Sequence, residues 1–211
     1  MTEVKICGLS TPSTVDVALR AGAGLIGFVF FPKSPRYVSV EQAAALAGPA
    51  RGKARIVALV VDSDDATLLE INRIVNPDLF QAQGAETPAR VAEIRALTGK
   101  PVIKAVSVAG AGDIAAAENY ATSAALILYD AKTADGPLPG GNGIAFDWSL
   151  LKGQKKRDFI LAGGLTPANV AEAIRLTGAA IVDVSSGVER APGVKDTDLI
   201  RKFIEAARPA R

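Results

Sequence analysis

The chain has 211 residues, of which 49% are hydrophobic and 22% charged, with a net charge of +2, one cysteine and no histidine. This length and composition predict one folded domain, and a near-neutral charge favours neither a nucleic-acid nor a membrane partner. The single cysteine excludes an internal disulfide framework, and together with the lack of histidine it argues against a zinc or iron–sulfur site.

Short β-branched runs alternate with helix-like stretches along the whole chain. The runs predict eight strands, at 4–7, 25–31, 56–61, 79–83, 102–106, 124–129, 159–162 and 181–185. The stretches between and after them predict eight helices, near 11–21, 40–48, 64–75, 87–98, 112–120, 147–152, 166–177 and 196–207.

Several helix boundaries carry their own sequence signals. Thr87-Pro88 and Thr166-Pro167 each place a capping hydroxyl before a proline at the first helical position. Asp196 is the expected cap of the last helix. Glycines follow three of the predicted helix ends, at Gly22, Gly99 and Gly178.

Eight alternating units predict parallel strands joined by right-handed crossovers, which close most naturally into a barrel. The predicted fold is therefore an α/β single-domain (βα)8 TIM barrel over residues 1–211. An open doubly wound sheet is the alternative, but Gly8 is followed by Leu9-Ser10-Thr11-Pro12 rather than by a G-x-G-x-x-G turn. In a barrel the chemistry lies at the carboxyl ends of the strands.

Without histidine, proton chemistry has to use Cys, Asp, Glu, Lys or Tyr. Strand alternation points Lys5 and Cys7 into the barrel, and it points Asp183 inward on the neighbouring last strand. We expect Lys5 and Asp183 to pair beneath Cys7, with their charged groups within about 6 Å. Cys7 is otherwise a small buried hydrophobe. Asp130 ends the sixth strand, where it either caps a turn or faces the barrel mouth.

The loops after the strands carry further candidate residues. Two prolines in 31–36 could hold Arg36 over the barrel mouth as an anion-binding group, although a solvated surface position is the simpler interpretation. The glycines and serines after strands seven and eight leave backbone N–H groups open to a phosphate; these residues are Gly163, Gly164, Ser185, Ser186 and Gly187. The long segment 131–146 is either a binding loop or a surface insertion.

Taken together, several segments of the chain resemble the phosphoribosylanthranilate isomerases of tryptophan biosynthesis. The matching segments are Lys5-Ile6-Cys7-Gly8, Phe31-Pro32-Lys33-Ser34-Pro35-Arg36, Gly140-Gly141-Asn142-Gly143 with Phe146-Asp147-Trp148, Leu161-Ala162-Gly163-Gly164-Leu165 with Asn169-Val170, and Asp183-Val184-Ser185-Ser186-Gly187-Val188-Glu189. The resemblance implies an Amadori rearrangement of a small phosphorylated substrate, N-(5-phosphoribosyl)anthranilate, with no metal or organic cofactor.

The resemblance also implies roles for individual residues. Cys7 matches the general base, Asp130 the general acid, and Arg36 a contact with the anthranilate carboxylate. The late loops match the phosphate site, and an active-site loop is implied at Gly141, Asn142 and Gly143; Lys5, Gln83 and Asp183 are expected to support the site. These roles need a raised pKa at Asp130 and thiolate character at Cys7, for which Lys5 is a candidate cation.

One segment departs from the family pattern. The family often has Gln-Leu-His-Gly at the end of the fourth strand, where this chain has Gln81-Ala82-Gln83-Gly84. Gln83 hydrogen-bonds but does not titrate near neutrality, so any role that needs an imidazole there is lost.

Two other functions are compatible with the sequence. An aldolase-like enzyme would use Lys104 of the fifth strand as a Schiff-base lysine. A catalytically silent binding protein would keep the phosphate loops but has no reason to retain both Cys7 and Asp130. A histidine-pathway aminoaldose also remains open as a substrate, and so does the choice between monomer and homodimer. The apolar runs are too short to span a membrane and the N-terminus has no signal-peptide pattern, so we expect a cytoplasmic protein.

Overall fold

A computed structural model describes residues 2–131, 146–153 and 159–208. In these ranges eight parallel strands close into a barrel in the order β1 to β8. The strands are β1 Glu3–Cys7, β2 Leu25–Val29, β3 Arg55–Val60, β4 Leu79–Ala82, β5 Val102–Val108, β6 Leu126–Ala131, β7 Phe159–Leu161 and β8 Ile181–Val184. The predicted closed barrel is confirmed, and the doubly wound alternative was wrong.

Helices pack around the outside of the barrel. They are α1 Pro12–Ala21, α2 Val40–Ala47, α3 Asp65–Ile74, α4 Pro88–Thr98, α5 Ala111–Ala116, α6 Val170–Thr177 and α7 Thr197–Ala206, with short 3₁₀ turns at Gly48–Ala50, Ala117–Tyr120, Trp148–Leu151 and Ser186–Val188. None of the helices that the structure describes combines the length and the apolar character needed to cross a membrane.

Strand alternation divides the apolar side chains into two layers. Side chains such as Leu25, Val57 and Ile160 fill the barrel interior. The larger cluster, which includes Ile6 and Phe28, lies between the sheet and the helices. Because both faces of a parallel barrel are buried, the strands are almost wholly apolar, and each polar residue that points inward near a strand end is exceptional.

The helix caps explain where most helices begin and end. The Thr87 hydroxyl accepts a hydrogen bond from the backbone N–H of Arg90, and the Asp196 carboxylate accepts from Asp198 and Leu199. Gly22, Gly99 and Gly178 adopt left-handed conformations at the ends of α1, α4 and α6. The predicted caps at these positions are confirmed.

The prediction for the start of α6 was wrong. The helix begins at Val170 rather than beside Pro167, because Asn169 shapes a preceding turn. The Asn169 side chain accepts from the backbone N–H of Thr166 and donates to the carbonyl of Gly164. The Asn169 amide, which both accepts and donates a hydrogen bond within the loop, takes the place of the predicted Thr166 cap. The loop after β7 is therefore longer than the sequence predicted.

Three further differences concern the second half of the chain. The helix expected at 147–152 is a single 3₁₀ turn, Trp148–Leu151. Strand β6 continues to Ala131, so Asp130 is the penultimate residue of the strand rather than its end. An antiparallel hairpin, β9 Glu189–Ala191 and β10 Val194–Lys195, follows β8 and was not predicted.

Candidate active site

A buried ion pair lies at the mouth of the barrel. Lys5 and Asp183 are register partners on the adjacent strands β1 and β8, and Lys5 Nζ lies 3.0 Å from Asp183 Oδ1. Both side chains are buried. Burial disfavours the charge on Lys5, but Asp183 and Cys7 raise its pKa above its ordinary value. The predicted pairing is therefore confirmed, and it places a cation beside the thiol of Cys7.

Cys7 is buried at the end of β1. Burial raises the pKa of its thiol, while Lys5 lowers it and Asp183 raises it again. Lys5 therefore stabilises the thiolate as expected, but it does not outweigh desolvation in the ligand-free barrel. Across the sheet, Gly27 of β2 faces the sulfur: a Cβ at Gly27 would lie 3.0 Å from Cys7 Sγ and 3.4 Å from Lys5 Nζ.

We expect Gly27→Ala to reduce kcat by roughly 10- to 100-fold, because the added methyl group has to displace the thiol or Lys5 and small displacements of reacting groups are costly. The same crowding should destabilise the fold by about 1–3 kcal/mol. Gly48→Ala is the matched control, since its backbone is right-handed and a Cβ there meets nothing within 4 Å. Equal activities for the two variants would refute this role of Gly27.

Asp130 is buried near the end of β6. Its Oδ1 accepts a hydrogen bond from the backbone N–H of Ala131 at 2.9 Å. Burial and the negative charge of Asp183 raise the pKa of Asp130 to about 6, while Ala131, Lys5 and Gln83 act in the opposite direction. The raised pKa that the acid role requires is present without substrate.

Gln83 lies beside Asp130 and completes a chain of two side-chain amides. Its Nε2 donates to Asp130 Oδ2 at 3.4 Å, and its Oε1 accepts from Gln81 Nε2 at 2.6 Å. Gln83 therefore contacts the carboxylate as a neutral donor in the place where the family often has histidine. Gln81 was not among the predicted site residues, although a glutamine in an apolar strand was a visible signal of its buried position.

The loops after β7 and β8 touch each other at the same rim. Gly163 and Gly164 are in left-handed conformations with φ of 82° and 64°. A Cβ at Gly187 would lie 1.9 Å from the carbonyl oxygen of Leu165, so only glycine permits this approach. Within the described part of the chain, the backbone N–H groups of Gly164 and Gly187 donate to no other group. The two loops thus provide N–H donors suited to a phosphate.

Arg36 is buried over Gly8 rather than solvated, because the Gly8 backbone lies against its side chain. Arg36 Nε and Nη2 each donate at 2.8 Å to the Glu189 carboxylate in a bidentate pair. Lys195 Nζ donates to the same carboxylate at 2.6 Å. Burial acts to raise the pKa of Glu189, but hydrogen bonds from Arg36 and the charge of Lys195 hold it below its usual value.

Glu189 and Lys195 were not predicted as site residues. The signal was the segment Ala191-Pro192-Gly193, which is typical of a turn and would have made the two charged residues cross-strand neighbours. The observed register pairs Lys195 with Glu189.

Lys104 lies outside the barrel mouth. Its neighbours Ile103 and Ala105 line the barrel interior, so its own side chain points to the outer layer. Lys104 Nζ donates to Glu86 Oε2 at 2.7 Å and to the Gly84 carbonyl at 2.6 Å. The amine is buried in the outer layer and bonded to these acceptors, so the Schiff-base hypothesis finds no support in this geometry.

Two further findings concern what the structure describes. Gly141, Asn142 and Gly143 lie outside the described residues. In ranges 2–131, 146–153 and 159–208, no group of three or more His, Cys, Asp or Glu side chains is arranged to hold a metal ion.

Comparison with known proteins extends over nearly the whole chain. The family model for N-(5'phosphoribosyl)anthranilate (PRA) isomerase matches residues 4–206. An N-(5'-phosphoribosyl)anthranilate isomerase of Paramagnetospirillum magneticum is 54% identical over 211 residues, which cover 99% of this chain and 98% of that protein.

Solved structures show the same similarity. A phosphoribosyl anthranilate isomerase in complex with reduced 1-(o-carboxyphenylamino)-1-deoxyribulose 5-phosphate has a TM-score of 0.86 at 35% identity, covering 98% of both chains. Mutually generated monomers of the dimeric enzyme of Thermotoga maritima give a TM-score of 0.85 at 35% identity, again covering 98% of both chains. The residues matched by the family model, 4–206, include every candidate site residue.

Proposed function

The chain belongs to the N-(5'-phosphoribosyl)anthranilate isomerase family, and on this premise we propose that Cys7 is its general base and Asp130 its general acid. The reaction is the Amadori rearrangement of N-(5-phosphoribosyl)anthranilate to 1-(2-carboxyphenylamino)-1-deoxyribulose 5-phosphate in tryptophan biosynthesis. One observation carries the assignment. Cys7 and Asp130 both interact with the same buried ion pair, Lys5–Asp183, at the carboxyl ends of the strands.

The chemistry uses these two groups in sequence. Asp130 donates its proton to the ribose ring oxygen as the bond from that oxygen to C1 breaks, and the ring opens to a Schiff base. Cys7 as thiolate then removes the proton from C2, which gives an enolamine. Proton transfer to C1 and loss of the enol proton complete the ketone. Each proton transfer of this kind contributes about 10²- to 10⁴-fold to the rate.

The protonation states that the reaction needs are unequal in the ligand-free enzyme. The acid must be protonated although its pKa is about 6, and the base must be ionised although burial raises its pKa. At neutral pH only a minority of molecules hold both states at once. We therefore expect a bell-shaped pH profile of kcat/KM, with an acidic limb near the pKa of Asp130 and an alkaline limb at the raised pKa of Cys7.

The remaining site residues are proposed to bind substrate. Arg36 is assigned to the anthranilate carboxylate, supported by its buried position against Gly8. Phosphate is assigned to the two touching loops, through Gly163, Gly164, Ser185, Ser186 and Gly187. Gln83 and the Lys5–Asp183 pair support the acid and the base, and Gly141, Asn142 and Gly143 are assigned to an active-site loop.

Residues 1–211 are proposed to act as one catalytic domain, as a monomer or a homodimer. The dimeric enzyme of Thermotoga maritima supports the second state. A cytoplasmic location is also proposed, because a phosphorylated, carboxylated sugar carries charges that do not cross a membrane readily.

Turnover of freshly generated phosphoribosylanthranilate by the purified chain tests the assignment. We expect loss of the substrate's anthranilate-type fluorescence with wild-type protein and almost none with Cys7→Ala. Binding of substrate without turnover would contradict the enzyme and favour the silent binding protein. Turnover that survives in Cys7→Ala would leave the activity in place but remove Cys7 from it.

A further inference from the structure

The hairpin β9–β10 is clamped against the barrel mouth on two sides. Gly193 at its turn lies so close to the segment 31–36 after β2, called loop 2 below, that a Cβ there would come within 2.3 Å of the Pro35 carbonyl oxygen. Glu189 at its start holds Arg36 of the same loop in the bidentate pair. The hairpin therefore contacts loop 2 both through its backbone and through an ion pair. These contacts hold the hairpin, with its charged side chains, against the barrel mouth where Cys7 lies.

Lys195 is the buried cation of this hairpin, with a side chain only 1% exposed. Its Nζ donates to Glu189 Oε1 at 2.6 Å, to the Ser185 carbonyl at 2.9 Å and to Ser185 Oγ at 3.1 Å. An ammonium group has three donors, and the three acceptors match them. Burial lowers the pKa of Lys195 below its ordinary value, while the charge and the hydrogen bond of Glu189 act in the opposite direction and favour the ammonium form.

Ser185 connects this cation to the end of β1. Its hydroxyl donates to the Cys7 carbonyl at 3.2 Å while its oxygen accepts from Lys195. A hydroxyl that accepts from a cation is a better donor, so the charge of Lys195 strengthens the bond that fixes the Cys7 backbone.

The charged groups around the Cys7 thiol come from five elements. Lys5 on β1 and Asp183 on β8 form one pair, and Lys195 on β10 with Glu189 on β9 forms a second, to which loop 2 adds Arg36. Strand β2 contributes no charge, since Gly27 faces the sulfur. Asp183 largely offsets the positive charge of Lys5. The second group has two cations, Lys195 and Arg36, against the single carboxylate of Glu189, and so keeps a net positive charge near the thiol. Lys195 also acts to lower the pKa of Cys7.

We propose that Lys195 is a positioning residue that stabilises the thiolate of Cys7 and fixes its backbone through Ser185. The inference rests on the role proposed for Cys7 as base. In this proposal the hairpin, for which the sequence predicted no role, places a second cation near that base. Lys195 itself is surrounded by protein acceptors and does not exchange protons with substrate.

The test is the pH dependence of Cys7 alkylation by iodoacetamide, followed by intact mass. Cys7 is the only cysteine of the chain, so the rate reports one thiol without background. We expect Lys195→Gln and Lys195→Met to move the midpoint upward by about half a pH unit or more. Lys195→Arg, which keeps the charge, should restore the wild-type midpoint even if the bulkier side chain loosens the hairpin.

Lys202→Met is the matched control, because it removes the same charge from an exposed position on α7. We expect its midpoint to equal that of the wild type. An unchanged midpoint in both charge-removing variants, or an equal rise in Lys195→Arg, would overturn the proposal and leave the lysine a purely structural role. Urea unfolding of each variant shows which of them retain the fold, and either Gln or Met suffices for the comparison.

The isomerase pH profile separates this inference from the proposed function. If Cys7 is the base, the alkaline limb of kcat/KM, which follows the pKa of the thiol, should rise in Lys195→Gln by the same interval as the alkylation midpoint. A shift in alkylation without a shift in the limb would contradict Cys7 as base while the effect of Lys195 on the thiol stands.

Discussion

Replacing Cys7 by alanine is expected to lower kcat about 10³-fold, with KM within a few-fold of the wild type. The expected loss follows from removing the group proposed to take the C2 proton, since a positioned general base contributes about 10²- to 10⁴-fold. Substrate binding should persist because the carboxylate and phosphate contacts are assigned to Arg36 and to the loops after β7 and β8. Progress curves of fluorescence loss at saturating substrate measure kcat directly.

Cys7→Ser is the control that separates proton transfer from packing. Serine nearly preserves the size of the side chain, but its hydroxyl is far less acidic than a thiol and cannot serve as a comparable base. We expect both variants to unfold in urea close to the wild-type midpoint and both to be inactive. Activity in Cys7→Ser within tenfold of the wild type would show that the thiolate is not required.

The barrel and the buried pair at its mouth follow from short-range sequence rules. Strand alternation placed Lys5 and Cys7 on the inner face, and the closure of eight parallel units made β1 and β8 neighbours. Those two rules were enough to predict the contact between Lys5 and Asp183, which the 3.0 Å distance confirms. A charged residue in an apolar strand is informative because burial requires it to find a partner.

The hairpin and its charges could not be predicted by the same rules. Strands β9 and β10 have three and two residues, too few for a periodic pattern to stand out. Arg36 looked like a solvated residue because its partner Glu189 is 153 positions away along the chain. Pairing at that separation depends on how loop 2 packs on the hairpin, and no local propensity encodes it.

The start of α6 failed for a different reason. Thr166-Pro167 is a good helix start, but a competing side chain, Asn169, bonds the loop on both sides and delays the helix to Val170. The sequence contains both signals, and only the three-dimensional contact with the Gly164 carbonyl decides between them. The result is a longer loop at the rim assigned to phosphate.

The electrostatic balance at Cys7 also exceeded what the sequence could predict. Lys5 was expected to give the thiol its thiolate character, yet desolvation is the larger effect and the pKa of Cys7 rises. The desolvation cost of a charged group depends on how deeply the group is buried, and a sequence does not state that depth. The same depth raises the pKa of Asp130, so one physical effect helps the acid and hinders the base.

Asp130→Asn is expected to lower kcat by about 10²- to 10⁴-fold, because an amide cannot donate a proton to the ring oxygen. The wild-type inflection near pH 6 and the alkaline decline should both disappear, which leaves a residual activity that rises through the pKa of Cys7. The matched control is Asp147→Asn, which changes an exposed carboxylate that caps the turn Trp148–Leu151. Near-normal turnover in Asp130→Asn would remove this residue from the mechanism.

The same substitution should stabilise the fold above pH 6. The pKa of Asp130 is about 6 in the folded chain against an ordinary 3.8, so the folded state binds more protons than the unfolded state between these values. The protonated carboxyl is fully favourable below pH 3.8, and this contribution is lost as the pH rises through 6. At 1.36 kcal/mol per pH unit, the loss reaches about 3 kcal/mol, which asparagine avoids because it does not ionise.

Urea unfolding of wild type and Asp130→Asn at pH 4 and pH 7.5 measures both arms of this prediction. The two proteins should be close in stability at pH 4, and the variant should be more stable at pH 7.5 by up to about 3 kcal/mol. A variant that is inactive and more stable only at the higher pH would show that the Asp130 carboxylate lowers the free energy of unfolding at that pH while it is needed for turnover. Equal stabilities at both values would mean that Asp130 titrates in the folded chain as it does in the unfolded one, which would contradict the raised pKa.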